Sequence, residues 1–243
     1  MKVDIVSKNE NFIQGFNLKN WFVISERSVI EVNDEIVEDK KEEIIKACEE
    51  LYKETSFKDI TIKGIGEQGK FSRTSIYYYF QTKEEIFLAL FKQEYEKWIN
   101  DLEKIYNQNE ELTKENFAEK LAYTIEKRKN LLKLLSMNLY DMEENSRREE
   151  LTKFKEAYGR AVKMVKKCID KFFKEMTEEE KEKFIFSFFP FMYGIYPYAE
   201  VTEKQKEAME NAKVPFKSQT IYEITYNGLI KLLKWNILKQ KIE

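Results

Sequence analysis

Apolar residues recur at helical spacing along most of the chain. From residue 40 onward, Ile44, Cys48 and Leu51 fall at i, i+4 and i+7 with Ile45 and Tyr52 beside them, which predicts a helix with one apolar stripe. The polar run Glu54-Thr55-Ser56-Phe57-Lys58-Asp59 interrupts that stripe. Thr61 then stands at an N-cap position, its hydroxyl placed to accept a backbone N–H of a short helix from Ile62 to Gln68 that ends at Gly69. Ser72 caps a second short helix reaching about Phe80, and Lys83 opens a long one with Phe87, Phe91, Trp98, Leu102 and Ile105 on one face. After a polar break at 107–111, further helices are predicted near 114–126, 128–144, 148–174, 178–199 and 218–239. The third of these keeps helical spacing through Leu151, Phe154, Tyr158, Val162, Val165, Ile169 and Phe172. The last has two apolar faces, Ile221, Ile224, Gly228, Leu232 and Tyr222, Tyr226, Leu229, Leu233, so it needs two packing partners, one of which a second subunit can supply.

Residues 1–38 have a different texture. Trp21-Phe22-Val23-Ile24 and Val29-Ile30-Glu31-Val32 are β-prone segments around a polar Ser-Glu-Arg-Ser, a pattern that predicts a small hairpin. An isolated hairpin is marginal in water. The segment is therefore read as a poorly ordered N-terminal extension or as the product of a start assigned too far upstream, with an arm reaching DNA as the third alternative.

Composition settles the class. Seven Gly and three Pro in 243 residues leave few breakers, and 42% hydrophobic residues suffice for a core, so the fold is expected to be all-α. The formal net charge of −2 means that any binding of nucleic acid must rest on a local basic face. Cys48 and Cys168 both lie on apolar stripes, where a buried small hydrophobe is the better reading than a disulfide or a metal ligand. Histidine is absent altogether, which removes the commonest general base and transition-metal ligand. No nucleophile motif, Gly-rich phosphate loop or metal spacing is visible, so neither catalysis nor a cofactor is expected. The longest apolar run, 184–198, is shorter than the ~20 residues of a membrane span and contains Pro190, Gly194 and Pro197. With no signal-peptide pattern at the N-terminus, a cytoplasmic protein is expected.

Two short helices around a tight Gly-containing turn describe a helix-turn-helix. The second helix reads Ser72-Arg73-Thr74-Ser75-Ile76-Tyr77-Tyr78-Tyr79-Phe80, whose first turn offers side chains suited to base edges and phosphates. Between residues 58 and 83 five lysines and arginines stand against two acidic residues, so this face is basic although the chain is not. A helical hairpin whose tyrosines fill a core is the plain alternative. Against it, Ile62, Ile65, Phe71, Ile76 and Phe80 already supply a core face.

The stretch from Phe57 to Phe87 resembles the signature of the TetR/AcrR regulators: a Thr-capped short helix, a tight turn, a Ser-x-x-x-Ile-Tyr-x-Tyr-Phe recognition helix and a Lys-Glu-x-Ile-Phe opening of the connecting helix. The resemblance implies a three-helix DNA-binding domain at 39–84 and an all-helical ligand-binding and dimerisation domain at 85–243. It implies double-stranded operator DNA, a homodimer and a small effector as partners. By residue, it implies Lys63 and Arg73 as base readers, Thr61, Ser72, Tyr77, Tyr79 and Lys83 as phosphate contacts, and Thr74, Ser75 and Tyr78 lining the groove. The turn departs from the family, reading Gly69-Lys70-Phe71 where Ala-Gly-Val is usual, and Gly66 replaces the usual Ala. A left-handed Lys70 costs ~1 kcal/mol unless Gly69 takes up that geometry instead.

In the second half, residues 184–198 are apolar around the whole circumference of a helix, which describes a core helix or one wall of an aromatic cavity opened by Pro190 and Gly194. The cavity reading places Phe188, Met192 and Tyr196 opposite Tyr123, Met137, Tyr140, Phe154 and Tyr158, around a lipophilic, planar or cationic molecule. The function expected is a ligand-responsive regulator, most simply a repressor released from its operator by a lipophilic effector. A helical protein–protein adaptor, or an enzyme acting on a small molecule, is the alternative.

Overall fold

The computed structural model describes the backbone of residues 18–137 and 139–234, and side chains from residue 36 onward. The described residues form eleven helices and no strand: α1 Leu18–Glu54, α2 Ile62–Gly69, α3 Arg73–Tyr79, α4 Lys83–Gln108, α5 Lys114–Glu126, α6 Lys129–Leu135, α7 Leu139–Glu144, α8 Arg148–Phe172, α9 Glu178–Ala199, α10 Glu203–Asn211 and α11 Ile221–Lys234. The chain divides into two units, 1–43 and 44–243, and the packing described below belongs to the second.

The hairpin expected around Trp21–Val32 is replaced by helix, because α1 already runs from Leu18. No Gly, Pro or turn-forming Asn separates the two β-prone segments, and a hairpin has no sheet among the described residues to join, so the backbone follows the helix that the later apolar stripe demands. The part of the N-terminal extension before residue 18 and the expected helix beyond residue 234 lie outside the described residues.

Within 44–243 the long connecting helix α4 packs along α8, with Phe91 stacked on Phe154 at 4.9 Å and Tyr95 edge-on to Tyr158 at 5.8 Å. Trp98 is fully buried on the same face, and its indole N–H donates to Thr124 Oγ1 on α5 at 3.0 Å, so the one polar atom of that side chain is satisfied. α11 packs on α5 and α9, while Ile224, Gly228 and Leu232 stay half-buried along an open groove beside Phe191. Its buried line is Ile221, Thr225, Leu229 and Leu233. The Phe191 ring lies over Gly228, where an added Cβ would meet it at 2.4 Å, so glycine there permits the close crossing of α9 and α11.

The predicted 128–144 helix is two, α6 and α7, broken after Leu135. α10 has no buried residue and so carried no apolar stripe to predict it. α9 matches its expected bounds, and the helix continues through Pro190 and Pro197. Cys48 and Cys168 are buried free thiols, and burial pushes both up from the usual thiol range, Cys168 to about 12.

Candidate nucleic-acid interface

The helix-turn-helix is built by caps. Thr61 is extended and its Oγ1 accepts the Gly64 N–H at 3.1 Å; Ser72 is extended and its Oγ accepts the Ser75 N–H at 3.0 Å. Between them α2 ends in a left-handed Lys70 at φ 59°, and the Phe71 N–H reaches back to Gly66 O at 2.8 Å, a Schellman closure. Gly69 stays helical and does not take up the left-handed geometry. Its role is space: a Cβ there would lie 2.4 Å from the Phe71 ring and 3.0 Å from Ala47 Cβ. Gly66 is required as well, because a Cβ would stand 2.7 Å from the Phe71 carbonyl oxygen. The turn thus closes on a left-handed Lys70, with Gly66 and Gly69 leaving the room that Phe71 occupies.

Ile65 and Gly66 of α2 and Ile76 of α3, with Phe80 just beyond, form the buried side of the motif. That fixes what α3 shows to solvent. Arg73 and Thr74 are exposed, Tyr77 is 53% and Tyr78 77% exposed, while Ser75 and Tyr79 are half-buried. Tyr78 and Tyr79 meet edge to face at 5.0 Å. Tyr77 and Tyr78 therefore do not fill a core, whereas Tyr79 packs partly against it. Thr61, Lys63 and Ser72 are exposed beside them, Lys63 paired with Glu67 one turn on at 3.4 Å.

Lys83 is placed differently from the phosphate role expected of it. Its ammonium donates to Phe57 O at 2.9 Å and Ile60 O at 3.1 Å and lies 4.3 Å over the Phe57 ring. It ties the start of α4 to the segment between α1 and α2, which a sequence motif could not distinguish from a solvent-facing lysine.

A second connection was not legible at all. Glu85, 0% exposed, accepts from Gln81 N–H at 2.8 Å and from Arg147 through its backbone N–H at 3.0 Å, Nε at 2.7 Å and Nη2 at 2.8 Å. Arg147 Nη2 also reaches Tyr79 O at 3.4 Å, and Thr82 donates to Asn145 O at 3.0 Å. Burial pushes the Glu85 carboxyl up, but the guanidinium and the two N–H groups outweigh it and leave it below the usual carboxylate range. The end of the recognition helix is thereby pinned to the segment that opens α8.

The expected ligand residues do not line one cavity. Phe154, Tyr158, Phe188 and Met192 lie in the interior cluster around Trp98, Tyr95 and Phe189. Met137 and Tyr196 line a separate cleft of about 350 Å³ beside Tyr52 and Phe57. Tyr123 is exposed and its ring lies tilted against that of Tyr222 at 4.6 Å, and Tyr140 is 84% exposed on α7. Helical spacing showed that these residues are aromatic neighbours in sequence, but not which turn of which helix faces inward. No helix among the described residues is long and apolar enough to cross a membrane.

A capped helix-turn-helix that shows Arg, Thr and Tyr to solvent, pinned to an all-helical body, is the build of a DNA-binding transcriptional regulator. Residues 44–90 match the profile described as "Bacterial regulatory proteins, tetR family", and residues 92–219 match "Tetracyclin repressor-like, C-terminal domain". The chain belongs to the TetR family of DNA-binding regulators. Among solved structures it is similar to Thermus thermophilus FadR, a TetR-family transcriptional repressor in complex with lauroyl-CoA, at TM-score 0.51 and 15% identity over 80% of this chain and 93% of that one. It is also similar to a putative TetR-family transcriptional regulator from Mesorhizobium loti MAFF303099, at TM-score 0.52 and 14% identity over 82% and 97%. A search of curated proteins gives no match.

Proposed function

We propose that this regulator binds a two-fold operator as a homodimer and is released from it by a lipophilic small molecule. The observation that carries the DNA half is the exposed Arg73, Thr74, Tyr77 and Tyr78 on a helix whose other side is closed by Ile76. In this reading Arg73 and Lys63 read base edges, Thr74, Ser75 and Tyr78 line the groove, and Thr61, Ser72, Tyr77 and Tyr79 hold phosphates. Lys83 is left out of that set, since two of its three N–H donors are held by Phe57 and Ile60. Lys70, exposed at the turn, takes its place as a cation facing the backbone. The DNA-binding domain is taken as residues 39–84 and the effector domain as 85–243, and the reading assigns the chain no catalytic step.

The dimer is supported by α9, whose outward residues Phe186, Pro190, Tyr193 and Pro197 form an apolar line along an exposed face, with Phe186 76% exposed. The effector is supported by the aromatic interior at Phe154, Tyr158, Phe188 and Met192, which sits against α4, the helix that opens at the recognition helix. The lauroyl-CoA held by the Thermus thermophilus protein is a ligand of the same lipophilic character. A ligand that prefers a conformer with the wrong spacing of recognition helices lowers DNA affinity by its own affinity ratio between conformers.

The test is a fluorescence-anisotropy titration with duplex DNA from upstream of the protein's own gene against a scrambled duplex. Arg73→Ala is expected to cost ~1–3 kcal/mol on the cognate duplex and little on the scrambled one. Equal losses on both would make Arg73 a phosphate contact and overturn the assignment of readers.

A further inference from the structure

The cleft at the joint between α1 and the α6–α7 segment is separate from the interior aromatic cluster. Its walls come from both halves of the regulator: Tyr52 from the last turn of α1 and Phe57 from the segment before α2, against Lys133, Met137, Asp141 and Tyr196. About 350 Å³ is within the range of small-molecule sites.

Two features of this cleft ask for a ligand with an anionic oxygen. The first is the Tyr52 hydroxyl. Tyr52 is 2% exposed, yet its O–H donates to the thioether sulfur of Met137, at 2.8 Å, and a thioether is a weak acceptor. A buried phenol held this way gains by exchanging sulfur for a carboxylate oxygen, a charge-assisted bond of roughly twice the strength of a neutral one. Burial, and after it the neighbouring Tyr196 phenol, push Tyr52 well above the usual phenol range, so it stays a neutral donor. The second feature is Lys133, whose ammonium lies 4.1 Å over the Tyr52 ring and donates to Tyr52 O and, at 3.4 Å, Thr55 O. Burial first, then Lys129, hold Lys133 below the usual lysine range, and an incoming anion offsets both effects. Of the other charges on the cleft, Lys58 and Asp141 are both exposed and opposite in sign.

We infer that this cleft binds a small amphipathic carboxylate, its head group received by Tyr52 Oη and Lys133 Nζ and its apolar body lying between Phe57, Met137 and Tyr196. The two donors it takes now join the end of α1 to α6 and to Met137 just beyond it, so occupation loosens the link between the DNA-binding and effector halves. The consequence for DNA rests on the ligand-responsive reading above, whereas binding itself does not.

The experiment is a titration of full-length protein labelled with ¹³C-methyl methionine, using benzoate and octanoate, with benzamide and 1-octanol as uncharged counterparts. The Met137 methyl signal, identified by its loss in Met137→Leu, is expected to shift with at least one carboxylate and with neither neutral compound. Tyr52→Phe, which removes one oxygen bonded to sulfur, is expected to keep the fold and to weaken that carboxylate about tenfold. Should Tyr52→Phe unfold, Lys133→Met serves as the second variant and is expected to weaken the same carboxylate by a similar factor. A Met137 signal that neither carboxylate moves at millimolar concentration overturns the inference, as does an equal shift with 1-octanol. A chain that binds no DNA but still shows the carboxylate shift would sink the regulator reading and leave the cleft standing; the reverse pattern would remove the cleft alone.

Discussion

Three residues of one turn show how this sequence accommodates its departure from the family pattern. Lys70 takes the left-handed conformation that glycine would hold without strain, and Gly69 makes room for the Phe71 ring that replaces a smaller residue. Lys70→Gly is therefore expected to stabilise the fold by up to ~1 kcal/mol in urea unfolding, the penalty of a non-Gly residue at positive φ. Gly69→Ala should destabilise by ~1–3 kcal/mol, as overpacking does, and Phe71→Val in the same chain should recover part of that loss. Additive effects of the two substitutions would show that the ring is not what excludes the Cβ. Gly66→Ala meets backbone at Phe71 O, so no change at the side chain of residue 71 rescues it. The sequence exposed the departure at all three positions and offered two ways to accommodate it. It could not choose between them, because the choice depends on the space around residue 69, which the Phe71 ring and Ala47, more than twenty residues away, fill together.

At the scale of helices, local chemistry was legible and long-range polar contacts were not. The Thr61 and Ser72 caps, the opening at Lys83 and the bounds of α5 and α9 follow from a hydroxyl, a break and an apolar stripe within a few residues of one another. The break between α6 and α7 contains neither Gly nor Pro, and α10 has no buried face, so neither left a mark in the pattern. The bond between Glu85 and Arg147 joins positions sixty-two residues apart, and periodicity carries no information about it. Removing one partner of a buried ion pair costs on the order of 3 kcal/mol, and Arg147, with its side chain 38% exposed, brings the figure down towards ~2 kcal/mol for Glu85→Gln. The sign of its pH dependence follows from the lowered carboxyl: the contribution is whole above the unfolded glutamate pKa of ~4.3 and disappears as pH falls through the folded value. Urea unfolding of wild type and Glu85→Gln should thus differ most at neutral pH and converge in acid. A gap that persists undiminished well below pH 3 would mean that the carboxylate charge is not the source.

For the molecule as a whole, the proposed function joins the exposed face of α3, the connecting helix α4 and the apolar line on α9 proposed as the dimer surface. Phe186→Glu puts charge on the outward line of α9 at its most exposed position, and should give a folded monomer in light scattering at micromolar concentration. A dimer unchanged by this substitution would move the interface elsewhere. Loss of the dimer should also cost operator affinity, since two recognition helices must enter successive major grooves ~34 Å apart. The class of the fold and the recognition helix were readable because they rest on local spacing. The arrangement of ligand-facing aromatics was not, since Tyr123, Met137, Phe154 and Tyr196 were assigned to one cavity and lie in three places. The central claim is that α3 reads DNA sequence, and the most direct measurement is the affinity of wild type and Arg73→Ala for the upstream duplex and its scrambled counterpart across a salt series. The account predicts that wild type prefers the upstream duplex, that both affinities fall steeply with salt, and that Arg73→Ala loses the preference while keeping nearly the same salt slope. Wild-type affinity that is equal for the two duplexes at every salt concentration would contradict it.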